Sequence, residues 1–261
     1  MTSDGERAMN SEIVNNPQGY GVPCRHSISG TEKSVCIVVH GFGSSKDSST
    51  AAMMLRELPQ AGIGAIALDL PAHGESAVDG DSLRLENCLA DLKAVEVYAQ
   101  AKAPEAGIVY FASSFGAYVT LLHLASEKRG NCRAFLRSAA VTMPELLSGI
   151  LTPEQRRSLD DAGEFVMYTQ EQGYARDLKL TKAFFSDLDS SDLFAIWREG
   201  MAELCMIHGE ADSQVPLGDA QLFSKKFNAP LTVVPNGDHQ LSAPGVPEQA
   251  LRLAVEFFSS H

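Results

Sequence analysis

Apolar residues along this chain fall into two alternating forms. Unbroken, β-branched runs occupy residues 35–40 (VCIVVH), 63–70 (IGAIALDL), 108–111 and 204–208, with further runs at 133–142 and 231–234. A run that short, without polar interruption, predicts a strand buried on both faces, as in a parallel sheet. Between the runs, apolar positions recur at helical spacing. Leu85, Cys88, Leu89, Leu92, Val95 and Ala99 make one stripe with charges opposite. Helices are also predicted over 48–60 and 217–227, and a closing one from Pro247 that turns Ala250, Ala254, Phe257 and Phe258 inward. Residues 1–10 are polar and expected to fray. Weaker alternating patches at 11–16 and 20–29, separated by Pro17-Gln18-Gly19, predict two opening strands joined by a turn. This succession of strand and helix predicts an α/β protein with a mostly parallel sheet flanked by helices.

The alternation stops near Met143-Pro144. From there to about Gly200 no buried strand is evident, and short helical pieces take over. Thr152-Pro153-Glu154-Gln155 reads as a capping box with Pro at the first helical position. Ser191 can cap a second helix carrying Leu193, Phe194, Ile196 and Trp197. Phe165, Tyr168, Tyr174, Phe184 and Phe185 add to a dense share of the aromatics. A small satellite core accounts for most of these rings, and a lid over a pocket would expose a few of them to a ligand. The expected organisation is a core domain of residues 1–142 and 201–261 with an inserted lid at 143–200.

Composition narrows the function. A net charge of −12 and a pI near 5.0 argue against nucleic acid and anionic membrane surfaces as partners. The five cysteines are scattered, two of them inside apolar runs, which suits buried thiols in a reducing compartment rather than disulfides or a zinc site. No apolar segment follows the first charges and no stretch of about 18 apolar residues occurs, so a soluble, cytoplasmic protein is expected.

Residues 107–123, GIVYFASSFGAYVTLLH, carry the first chemical signal. A buried strand collides with small residues and turns straight into a helix that is apolar almost all round. Ala112-Ser113-Ser114-Phe115-Gly116 matches the nucleophile elbow G-x-S-x-G, with Ala for the first Gly. The residues two before and two after the apex must be small because strand and helix crowd there. Only Ser114 fits that register, since an apex at Ser113 would put Phe115 where Gly is wanted. The pentapeptide alone fits a buried strand–helix junction with two incidental serines equally well. What separates the two readings is position. In doubly wound sheets, sites lie beyond the carboxyl ends of strands, where Ser114, Asp212, His239 and the Gly41-Phe42 turn all fall.

With these residues together, the chain resembles the α/β-hydrolase superfamily. The likeness rests on His40-Gly41-Phe42-Gly43, the 69–76 loop DLPAHGES, the Ser114 elbow, His208-Gly209-Glu210-Ala211-Asp212 and Gly237-Asp238-His239, in the order Ser, Asp, His. It covers nearly everything from Val35 onward. Within the superfamily the chain looks most like small carboxylesterases related to cinnamoyl (feruloyl) esterases, which share the serine aminopeptidase-like sequence family. The resemblance implies an α/β-hydrolase fold with an inserted lid, and Ser114 as nucleophile, His239 as base and Asp212 as the acid that orients it, with Glu210 as a rival acid. It also implies an oxyanion hole from the backbone N–H groups of Phe42 and Phe115, whose rings could line the acyl pocket. His40 and His73 would brace their loops, and His208 would be structural.

The expected activity is hydrolysis of carboxylic esters of small to medium acyl or aryl groups through an acyl-enzyme. A thioesterase, amidase, peptidase, acyltransferase or C–C bond hydrolase would use the same triad, and a non-catalytic ligand-binding module is the reading from another class. Tyr168, Tyr174 and Trp197 are the expected lid contacts, by side-chain type and position. No cofactor and no metal are implied, and the partner expected is a small-molecule ester, with room for a homodimer.

Overall fold

The computed structural model describes residues 9–127 and 130–260, apart from the Gln172 side chain. Most of the polar N-terminal stretch, and His261, therefore lie outside the described residues. Among the described residues an eight-stranded sheet runs through the molecule. Its strands are β1 (Asn10–Asn15), β2 (Gly21–His26), β3 (Ser34–Val39), β4 (Ile63–Leu68), β5 (Gly107–Ser113), β6 (Arg133–Arg137), β9 (Glu203–Gly209) and β10 (Leu231–Val234), in the order β1-β2-β4-β3-β5-β6-β9-β10. The six strands from β4 to β10 pair in parallel, while β2 pairs antiparallel with both β1 and β4.

Burial explains why the parallel strands read so clearly. β4 is buried at every position, and β3 and β5 at all but their first residue. Helices cover both faces. α2 (Leu85–Lys102), α3 (Phe115–Glu127) and α8 (Leu217–Phe227) pack on one side; α1 (Ser49–Glu57) and α9 (Val246–Ser259) cover the other. α3 is buried from Phe115 to Ala125, as an interior helix beside the central strands must be.

Between β6 and β9 the chain forms α4 (Met143–Gly149), α5 (Pro153–Asp161), β7 (Glu164–Met167), β8 (Leu178–Thr181), α6 (Lys182–Asp189) and α7 (Leu193–Ile196). The Thr152 capping box is present, with both reciprocal hydrogen bonds. Two expectations for this insert need correcting. β7 and β8 pair as an antiparallel ribbon, and Leu178 and Leu180 on β8 are fully buried, although no buried strand was expected here. Four-residue strands are too short to stand out from a helical background. The second helix is capped by Asp192 and not Ser191, and it lasts a single turn.

The insert is tied to the core by polar links. Arg84 makes a bidentate pair with Asp187 at 2.6 and 2.7 Å, Lys179 meets Asp81 at 2.6 Å, and the Tyr118 hydroxyl donates to the Ser191 carbonyl at 2.7 Å. Bidentate Arg–carboxylate geometry holds orientation as well as distance. Among the described residues, no helix is long and apolar enough to cross a membrane.

Candidate active site

Where β5 ends and α3 begins, Ser114 adopts a left-handed backbone conformation with φ 51°. That region is costly for a residue with a Cβ and persists only where its surroundings enforce it. Here they do: the Ser114 N–H donates to the Arg137 carbonyl at 2.9 Å, and its own carbonyl accepts from Ala117 at 3.0 Å. The small flanking residues are needed as the sequence suggested. A Cβ on Gly116 would lie 2.3 Å from the His40 carbonyl oxygen, and one on Gly41 only 3.1 Å from Ser114 Cβ.

The loops after β9 and β10 bring two more residues to this apex. His239 Nε2 lies 3.1 Å from Ser114 Oγ, and His239 Nδ1 lies 2.8 Å from Asp212 Oδ2. Because a carboxylate only accepts, Nδ1 carries the proton and Nε2 is left to accept from the serine hydroxyl. Asp212 is held on its other side by the N–H groups of Gln214 and Val215, at 2.9 and 2.8 Å on Oδ1. Burial alone would raise the Asp212 carboxyl. Hydrogen bonds from His208, His239 and the Val215 amide outweigh it and hold the group well below the usual carboxylate range. Glu210, the rival acid, is engaged elsewhere, accepting from the Asn236 N–H at 3.1 Å.

His208 does more than its place at the end of a strand suggested. Its Nε2 sits 3.0 Å from the Val215 carbonyl and 3.2 Å from Asp212 Oδ2. A carbonyl forces Nε2 to be the donor, so the same N–H serves Asp212 as well. The spacing of four residues between His208 and Asp212 was the available signal. The base loop is held from below, where Ser138 Oγ donates to the His239 carbonyl at 2.8 Å and Arg137 Nη1 donates to that of Gln240.

His40 and His73 sit beneath the Phe42 turn. His40 Nε2 accepts from the Leu70 N–H at 3.1 Å and Nδ1 donates to the Gly41 carbonyl at 2.8 Å, stitching the loops after β3 and β4 together. Burial pulls the His40 imidazole down to about 4 and that of His73 to about 3, so both are neutral. Among the described residues, neither the Phe42 nor the Phe115 amide donates to a protein acceptor. Phe115 opens α3, where the first N–H groups have no partner within the helix.

A cavity of about 930 Å³ covers this apex, lined by Phe42, Ser114 and His239 and, from the insert, by Met143, Leu147 and Tyr174. The three expected insert contacts separate here. Tyr174 lines the cavity, its ring against Gly43. Tyr168 does not: it is 62% exposed at the tip of a tight turn beyond β7, where the Thr169 N–H donates to the Met167 carbonyl at 3.0 Å, while its neighbours Met167 and Thr169 line the cavity. Trp197 is also absent from the lining. It is buried to 1% exposure, its ring 6.4 Å from that of Phe223 on α8. The Phe115 ring is fully buried behind Phe42 and likewise lies outside the lining.

Residues 36–254 match the model of the alpha/beta hydrolase family. The chain belongs to that family. No curated protein matches it in sequence. Solved structures do match in fold, among them a protein from Agrobacterium vitis S4 (TM-score 0.80, 19% identity, covering 96% of this chain and 100% of the other). Est1E from Butyrivibrio proteoclasticus, solved with ferulic acid bound, gives a TM-score of 0.77 at 19% identity over 95% of this chain and 100% of its own. The esterase domain of a Rhodothermus marinus protein gives 0.70 at 17% identity, over 95% and 97%. As a member of the alpha/beta hydrolase family, this hydrolase carries Ser114 and His239 on the loops after its central and last strands, and Asp212 on the loop after the strand between.

Among the described residues no group of three or more His, Cys, Asp or Glu is placed to hold a metal ion. Cys24, Cys36, Cys88 and Cys205 are free thiols, the first three of them buried.

Proposed function

We propose that this hydrolase cleaves carboxylic esters of small to medium acyl or aryl groups through an acyl-enzyme on Ser114. The observation that carries this reading is the chain of hydrogen bonds from Ser114 Oγ through His239 to Asp212. As Ser114 Oγ bonds to the ester carbonyl carbon, its proton passes to His239 Nε2, and the carbonyl π electrons move onto oxygen. Asp212 stabilises the imidazolium. The uncommitted amides of Phe42 and Phe115 then meet the oxyanion; losing one such donor typically costs about 2.7–4 kcal/mol in the barrier. The tetrahedral intermediate collapses, the alkoxide leaves with the proton from His239, and water repeats the sequence to release the acid.

The cavity volume falls within the range for small-molecule sites, and its apolar wall suits an acyl or aryl group. The ferulic acid in Est1E is an aryl acid of this size class. The free thiols of Cys24, Cys36, Cys88 and Cys205 favour a reducing compartment such as the cytoplasm. A fluorophosphonate, which reacts with activated serines whatever their substrate, tests the reading directly. Peptide mass spectrometry should place the adduct on Ser114, and labelling should vanish in His239→Ala. No adduct on the folded wild-type protein would overturn it.

A further inference from the structure

The cavity is lined by residues of the insert, among them Met143 and Leu147, and by residues on the α1/α9 face of the sheet, among them Phe111, Ser113 and Arg137. Arg137 is the last residue of β6 and is half-buried. Its Nε donates to Ser113 Oγ at 3.0 Å and its Nη1 to the Gln240 carbonyl. A guanidinium has five N–H groups. Two are used here, which leaves one on Nη1 and both on Nη2.

No carboxylate among the described residues pairs with this cation. The nearest acids are committed, Asp212 to two imidazoles and Asp238 to the Ser242 amide and hydroxyl at 2.8 and 2.6 Å. Burial holds the guanidinium at about 10, below its ordinary value, with Asp238 and Asp212 only partly offsetting that. A desolvated charge without a counter-charge is unfavourable in the free protein and becomes favourable when an anion arrives. Arg56 and the first residues of α1, Ser49 and Thr50, line the same side, where Arg56 is paired with Glu57 at 2.7 Å and Asp47 is held by Arg25 and Lys46. A cation left without a carboxylate partner among the described residues stands out in a chain of net charge −12.

We propose that the Arg137 side of the cavity is a subsite for a carboxylate, so that the preferred ester carries an anionic group beyond the scissile bond. The free edge formed by Nη1 and Nη2 is the fork that takes a carboxylate through two parallel hydrogen bonds. The proposal rests on the serine-hydrolase reading, and matched substrate pairs separate the two. The first pair is 4-nitrophenyl hydrogen glutarate against 4-nitrophenyl valerate, in which a carboxylate replaces a terminal methyl group. The second puts the charge on the leaving side, 4-carboxyphenyl butyrate against 4-methylphenyl butyrate.

The expected result is a kcat/KM at least about tenfold higher for the anionic member of one pair, a ratio that collapses in Arg137→Gln and is partly kept in Arg137→Lys. If Arg137 only braces Ser113 and Gln240, the Gln variant slows both members equally and the ratio stays, which overturns the proposal. Absence of an anionic preference in both pairs also overturns it, and needs only the wild-type protein. Failure of the serine-hydrolase reading would show instead as no turnover of any ester. Calorimetry of Ser114→Ala with monomethyl glutarate and with methyl valerate then decides the subsite alone: it requires measurable binding of the anion only, and equal binding of both, or of neither, refutes it.

Discussion

Replacing Asp212 with Asn changes one atom in a place where four donors converge. Oδ1 accepts two backbone N–H groups and Oδ2 accepts from His239 and His208. The Asn oxygen must stay with the backbone amides, which cannot turn away, so its NH₂ faces both imidazoles. His239 can meet it only by giving up its Nδ1 proton, and the neutral ring then carries the proton on Nε2. That nitrogen would donate to Ser114 and could no longer accept from it. A wrong tautomer of this kind lowers kcat by about 10⁴, or about 5 kcal/mol in the barrier. His208 cannot adapt the same way, because the Val215 carbonyl keeps its Nε2 a donor, so two N–H groups collide in a buried site. That adds a stability loss of about 1–3 kcal/mol. The assay is hydrolysis of 4-nitrophenyl butyrate alongside thermal unfolding, with Glu210→Gln as the comparison. Glu210 serves only its turn, so its variant should stay within about threefold of wild type, a barrier change of no more than about 0.65 kcal/mol. An Asp212→Asn enzyme within tenfold of wild type, or a Glu210→Gln enzyme that is the slower of the two, would refute the reasoning.

Three further outcomes are expected. Gly41→Ala sets a Cβ against Ser114 Cβ, and the displaced nucleophile should lower kcat by roughly 10- to 100-fold with little change in melting temperature; unchanged kcat would show that the turn yields freely. Tyr174→Ala should raise KM for aryl esters while sparing stability, whereas Trp197→Ala should cost about 3–5 kcal/mol in denaturant unfolding, and the reverse pattern would contradict their placement. Asp91 is buried beneath β1–β2, where burial pushes its carboxyl up to about 7 against the hydrogen bond from Asn16. The unfolded chain loses this proton near pH 4 and the folded one near 7, so stability should fall by up to roughly 1.4 kcal/mol per pH unit between them and then level off. Asp91→Asn should flatten that slope in urea titrations at pH 5, 6 and 7; an equal slope in the variant would assign it to other groups.

The parts of the fold legible in the sequence are those where burial leaves no choice of residue. β3, β4 and β5 are enclosed on both faces, so their residues are apolar without interruption and mark themselves. The elbow was legible for a similar reason, since a carbonyl 2.3 Å from where a Cβ would sit permits only glycine at 116. The insert was less legible because its strands are four residues long and its rings serve two purposes. Tyr168 and Trp197 share the composition of a binding wall, yet the turn after β7 points one outward and packing against α8 buries the other. Arg137 gave no signal because it falls inside the 133–142 run, where nothing in the sequence marks it as the end of the strand. What distinguishes it is the lack of a counter-charge, which only the packed chain displays.

The order of the site residues along the chain bears on how the protein is made. Ser114 and His239 stand 125 residues apart, and Asp212 and His239 reach the apex only once β9 and β10 have added to the sheet edge beyond β6. On the proposed mechanism, a nascent or partly folded molecule would carry Ser114 as an ordinary hydroxyl, unable to attack esters. Reactivity at Ser114 would then be a readout of completion, and an active-site titre would count molecules whose last quarter, from β9 onward, has docked.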